Sequence, residues 1–148
     1  MPTTASSGLP EGWPRVQLGA ASVARLATVR PDGAPHLVPI TFAIANETLV
    51  TAIDFKPKKT PKLQRLENLR ANPSVSVLID EYADDWSALW WVRIDGTAEI
   101  VEEGPTFTDA IDALVAKYPQ YRDTVPCGPV IRVQPSGWRA WRASVHLS

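Results

Sequence analysis

The chain is poor in the residues that usually build metal and redox centres. Its 148 residues include one cysteine, Cys127, one methionine and two histidines, His36 and His146. A single cysteine closes no internal disulfide and makes no structural zinc site, which fits a reducing compartment. Two histidines exclude a histidine-rich metal centre, and no metal is expected. Cys127, between Pro126 and Gly128, has no activating partner in the sequence. There is no GxGxxG and no P-loop. No window approaches the roughly 18 consecutive apolar residues of a membrane span. The opening MPTTASSGLPEGWP lacks a basic stretch followed by an apolar run, so no signal peptide is expected and the location expected is cytoplasmic. Charge of one sign is missing too: 15 Lys and Arg against 16 Asp and Glu leave a net −1. General nucleic-acid affinity needs a basic surplus, so no nucleic-acid partner is expected.

What is present reads as one folded domain. Hydrophobic residues make up 45% and charged residues 21%, the balance of a globular protein. Residues 1–12 are rich in Ser, Thr, Pro and Gly and are expected to be flexible, ahead of a single domain over 13–148. A short helix is expected over 13–21. "SVARLATVR" alternates with period two, Pro31-Asp32-Gly33 marks a turn, and 36–45 and 48–53 follow as strands around a weaker Asn46-Glu47 turn. Thr60 as N-cap and Pro61 at the first helical position begin a helix with Leu63, Leu66 and Leu69 on one stripe, stopped by Asn72-Pro73. "SVSVLID" (74–80) is a strand, 81–87 a polar loop, and 88–101 a long strand bent at Gly96. Residues 105–119 form an amphipathic helix, and "GPVIRVQP" and "GWRAWRAS" close the chain as two strands. Six or seven antiparallel strands with inserted helices make a small β-barrel of α+β character.

The segment "DFKPKKTPKLQRL" (54–66) stands out. Lys56, Lys58, Lys59, Lys62 and Arg65 are five of the 15 basic residues, set against the single acid Asp54. A helix N-terminus carries partial positive charge, so Lys58, Lys59 and Lys62 around a Thr60 cap are misplaced by up to roughly 1 kcal/mol each. A bound anion reverses the sign of every such interaction, and together with the free N–H groups of a helix start these cations suit a phosphate or polycarboxylate. The plain alternative is a solvated basic loop. Trp86, Trp90 and Trp91 fall within six residues, with Trp138 and Trp141 near the end. A planar ring with an anionic tail would use both features; core or dimer packing is the ordinary role of each tryptophan. Asp84-Asp85 and Glu102-Glu103 are neighbours whose side chains diverge, so they read as solvated turns. The sequence picks out no catalytic residue; Tyr82, Asp84 and His36 are open choices for a proton source.

The passages "ATVRPDGAPHLVPI", "NLRANPSVSVLID" and "DGTAEIV", in this order and spacing over residues 20 to 103, resemble the split β-barrel flavin-binding group that includes pyridoxamine phosphate oxidases. They look most like its actinobacterial branch, which uses the deazaflavin coenzyme F420. The resemblance implies a homodimer with two cofactor sites at the subunit interface. It also implies that Lys56, Lys58, Lys59, Thr60 and Arg65, with Lys62 beside them, bind the cofactor's anionic end. Val38, Pro39, Ile40, Thr51 and Ala52 would then line the ring, and Trp86, Trp90 and Trp91 would wall a substrate pocket. The basic turn is longer than the family's usual one, which suits the phosphodiester and oligoglutamate tail of F420 better than the single phosphate of FMN.

The expectation is an F420-dependent oxidoreductase that moves a hydride between the cofactor and a small unsaturated organic substrate. An FMN oxidase or reductase on the same barrel, and a non-catalytic cofactor-binding protein, are the alternatives.

Overall fold

The computed structural model describes the backbone of residues 3–5 together with residues 8–53 and 63–143. Lys56, Lys58, Lys59, Thr60, Pro61 and Lys62 lie outside the described residues, as does His146.

Eight strands form one antiparallel sheet: β1 (Thr3–Ala5), β2 (Ala24–Val29), β3 (Pro35–Ile40), β4 (Ala43–Ala45), β5 (Thr48–Ala52), β6 (Ser74–Glu81), β7 (Trp90–Val101) and β8 (Val130–Arg142). Their spatial order is β3-β2-β6-β7-β8-β5-β4, and β1 pairs with the far end of β8. The two strands that end this path, β3 and β4, are separated in sequence only by Thr41 and Phe42. Two residues span less than about 10 Å, so the sheet has to curl until its edges approach. The result is a split barrel with flanking helices: the strand pattern implied the small barrel, and the family resemblance implied the split.

The alternation read from the sequence sets the inward face. Ala24, Leu26 and Thr28 of β2, Val75, Val77 and Ile79 of β6, and Val92 and Ile94 of β7 are all buried. With Phe42, Leu49, Ile131 and Val133 they form the main core, each large side chain contributing on the order of 1.5–3 kcal/mol. Helix α1 (Trp13–Ala20) adds Leu18 to that core, and α2 (Gln64–Ala71) adds Leu66 and Leu69. Helix α3 (Pro105–Lys117) lies on the other face of β4 and β5 and packs Ala110, Ile111 and Leu114 against Ala43, Val50 and Val130. Strand β5 is therefore covered on both faces, which explains four consecutive buried residues. A short helix α4 (Gln120–Asp123) follows α3.

Four local readings are corrected. The run 36–45 is two strands, because the bend at Thr41 and Phe42 carries the chain from one sheet edge to the other. The final strands are one, β8, since Pro135 and Gly137 are absorbed at a bulge opposite Asp95 and Gly96. Gly96 is required there, as a Cβ would collide with the Gln134 carbonyl. The helix expected from Thr60 begins at Gln64: Leu63 occupies the N-cap in extended conformation, with no side-chain cap, and packs on the core from there. Its hydrophobic anchor sets the start. The Ser/Thr-rich opening also supplies β1, a strand that its composition did not announce.

Both turns were legible. Gly33 has φ 89°, and its N–H donates to the Arg30 carbonyl at 2.8 Å. Asn46 and Glu47 have φ 49° and 60°, the pattern of a two-residue hairpin turn. That backbone is unfavourable for Glu47, whose two carboxylate oxygens accept from Arg15 at 2.7 and 3.2 Å in an exposed ion pair.

Candidate functional site

The split itself is built from strand pairing. Strands β4 and β5 run side by side only as far as Ala43 opposite Val50. Beyond that point Thr51 and Ala52 keep β8 as their partner but have no strand on their other side among the described residues. Among the described residues strand β3 pairs with β2 alone, and as an edge it tolerates Pro35 and Pro39. The backbone edges at 38–40 and 51–52, on either side of the bend at Thr41 and Phe42, are thus each paired on one side only among the described residues. The five candidate ring-lining residues differ in what they present: Val38 packs on the main core and Ala52 on the α3 side of β5. Val38 and Ala52 are half-buried and Pro39 is exposed, whereas the side chains of Ile40 and Thr51 are core, only 5% and 2% exposed. Those two residues can offer a ligand only backbone.

The start of α2 is fixed by a polar chain that sequence reasoning missed. Asn68, fully buried, donates from Nδ2 to the Thr28 hydroxyl at 2.9 Å and accepts at Oδ1 from Gln64 Nε2 at 2.8 Å. Helix α2 is thereby tied to β2 beneath it. A buried asparagine four residues after a glutamine is the only trace of this in the sequence. In the same first turn Arg65 is half-buried, with no hydrogen bond or ion pair among the described residues. Burial alone pushes its guanidinium below the ordinary arginine range. A desolvated cation that no described residue pairs is costly, and an anion would remove that cost. The four lysines and Thr60 of the basic segment lie outside the described residues.

The tryptophans do not form one wall. Adjacent strand residues face opposite ways, so Trp90 points inward, its indole N–H donating to Glu81 at 3.0 Å. Trp91 lies on the outer face, opposite Asp80 on β6 and Trp141 on β8. A cavity of about 490 Å³ opens on that side, lined by Leu78, Tyr82, Leu89, Trp90, Trp91 and Trp141 among others. Trp86, on a single helical turn at Trp86–Ala88, is 70% exposed and does not line it. Trp141 takes its place, a role visible only once the β7–β8 register is known.

The open proton-source choices are dispersed. Tyr82 and Asp84 are exposed, in or beside the loop after β6. His36 pairs with Thr28 across the β2–β3 ladder, and its Nδ1 is buried without a hydrogen-bond partner. Cys127 is exposed, and the described residues contain no metal-ligating cluster. No helix among them is long and apolar enough to cross a membrane.

Comparison with known proteins places this geometry. The family model described as pyridoxamine 5'-phosphate oxidase matches residues 10–142. No curated protein matches the chain. Among solved structures, the conserved hypothetical protein Rv2991 from Mycobacterium tuberculosis superposes with a TM-score of 0.76 at 24% identity, covering 97% of this chain and 94% of that one. An FAD-binding protein from Mesorhizobium loti gives 0.69 at 24% identity, over 97% and 99% of the two chains. The heme storage protein HutZ from Vibrio cholerae gives 0.66 at 21% identity, over 82% and 86%. At these identities the structures share the fold.

Proposed function

Because the chain belongs to the pyridoxamine 5'-phosphate oxidase family of flavin-binding split barrels, we propose that it binds a flavin-type cofactor with a long anionic tail, F420, in its split. We further propose that it transfers a hydride between that cofactor and a small unsaturated organic substrate. The observation that carries this reading is Arg65, a half-buried guanidinium with no partner among the described residues, at the start of the helix that follows the basic segment. Such a group fits an anion supplied from outside the chain.

In this reading Arg65, Lys56, Lys58, Lys59 and Lys62, with the Thr60 hydroxyl, hold the anionic tail. Val38, Pro39 and Ala52, with the backbone of Ile40 and Thr51, flank the ring and exclude water from one face. The bound deazaflavin supplies the hydride donor or acceptor, and the protein supplies position and a dry surface. Trp91 and Trp141 wall the substrate side, and the inward-pointing Trp90 reaches the same cavity only at its margin. Exposed Leu37, Leu78, Tyr82 and Trp86 suit packing against a second copy of the chain, consistent with a homodimer. A dimer would also give Trp86 an apolar neighbour.

FMN is the second reading. The family's description and the FAD-binding neighbour favour a flavin with a phosphate; the number of cations in the basic turn favours the longer tail. The heme-storage neighbour keeps a non-catalytic binding protein as the remaining alternative. Turnover separates catalysis from binding: reduced F420 incubated with the protein and a panel of enones, quinones and tetrapyrroles should lose its reduced-form signal with at least one of them. Tight binding with no oxidation by any member would leave a carrier.

A further inference from the structure

A second cavity, of about 510 Å³, lies where the C-terminal ends of α1 and α3 meet the bend at Thr41. Ser22, Thr41, Lys117, Tyr118, Gln120 and Tyr121 line it, and none of its lining residues is acidic. Its polar groups have hydrogens to spare. The Lys117 ammonium donates to the Leu18 carbonyl at 3.1 Å and sits 3.7 Å above the centre of the Phe42 ring, with no carboxylate in ion-pair range among the described residues. An ammonium has three N–H donors, so only part of its capacity is spent. The Thr41 and Tyr121 hydroxyls share a single bond of 2.7 Å, which leaves one of their two hydrogens free. Tyr118 is occupied: its hydroxyl donates to the Ser22 carbonyl at 2.8 Å and accepts the Phe42 N–H at 3.1 Å. The rings of Tyr118 and Tyr121 meet edge to face at 5.6 Å and give the cavity an aromatic wall.

A pocket with surplus donors, one cation that no described carboxylate compensates and an aromatic wall calls for an acceptor on an apolar body. We propose that this cavity is a second small-molecule site that takes an organic monocarboxylate with a flat apolar body. Its carboxylate meets Lys117 and the Thr41–Tyr121 hydroxyl pair. Burial pushes the Lys117 amine down to about 8, the direction expected of an ammonium that has lost water without gaining a counter-ion. A bound carboxylate supplies that counter-ion. Thr41 directly follows Ile40, so an occupant here adjoins the bend from which the split opens. The site does not depend on which cofactor the split takes.

The test uses 2-naphthoate and its neutral analogue 2-naphthalenemethanol, titrated into the full chain by ligand-observed NMR. The carboxylate is expected to bind about tenfold tighter or more, the effect of one charge-assisted contact. Lys117→Met should remove that preference and Lys117→Arg should keep it, which guards against a variant that fails to fold. Tyr121→Phe should weaken naphthoate several-fold. Arg65→Met should leave the preference intact. Equal binding of acid and alcohol would overturn the proposal. So would a preference that survives Lys117→Met or vanishes in Arg65→Met, because the anion would then sit at the basic segment.

Discussion

Replacing Arg65 with methionine separates a binding role from a structural one. Methionine keeps most of the aliphatic stem that packs at the start of α2 and removes only the charged head. In the ligand-free protein that head has no partner among the described residues, and burial alone disfavours its charge. Its loss should therefore leave stability unchanged or raise it by a few tenths of a kcal/mol, a figure kept small because the group is still half in water. Cofactor binding should move the other way. One charge-assisted contact contributes about 1.5–3 kcal/mol, a weakening of roughly ten- to 150-fold. Urea denaturation of the ligand-free variant gives the first quantity, and quenching of tryptophan fluorescence on titration with F420 or FMN gives the second. Opposite signs support the argument. A loss of more than about 1 kcal/mol in stability with unchanged affinity would refute it and make Arg65 part of the scaffold.

Three further outcomes follow from the same geometry. Asn68→Ala strips the buried partner from Thr28 and Gln64 and should cost about 2–3 kcal/mol in denaturant unfolding, with part of the loss recovered when Thr28→Val is added. Gly96→Ala drives a methyl into the Gln134 carbonyl at the bulge and should cost about 3 kcal/mol, lowering the melting midpoint by roughly 10 °C. Lys117 has a folded-state pKa of about 8 against an ordinary 10.5. Between those values the unfolded chain holds the proton more tightly, so stability rises with pH. The nominal gain of about 3 kcal/mol reduces to about 1–2 for a half-exposed group. The difference in unfolding free energy between wild type and Lys117→Met should rise by that amount from pH 8 to pH 10.5; a flat difference would contradict it.

The strands were legible where one face is buried and the other wet, as in Ala24, Leu26 and Thr28 or Val75, Val77 and Ile79. The exact helix start was not, because Leu63 trades a helical position for a contact with the core, and that contact is long-range. Pro135 and Gly137 read as strand breakers, yet a bulge accommodates them, a feature decided by the partner strand. The same limit applies to the site. Val38, Pro39, Ile40, Thr51 and Ala52 were implied by the family resemblance alone, and that Ile40 and Thr51 bury their side chains could be seen only in the folded chain. Trp90 and Trp91 looked equivalent in sequence and lie on opposite faces. Trp141 and Lys117 came into view only through register and packing. The lysines of the basic segment remain what the sequence says of them, a concentration of charge beside Arg65.

The most direct test of the central claim is to titrate the purified protein separately with F420 and with FMN while following the fluorescence of its six tryptophans. Saturable quenching by F420 at lower concentrations than by FMN is expected, with loss of that preference in Lys58→Ala with Lys59→Ala. Tighter binding of FMN would move the protein to the oxidase side of its family. Failure of both to bind would contradict the account and leave the basic segment facing some other anion.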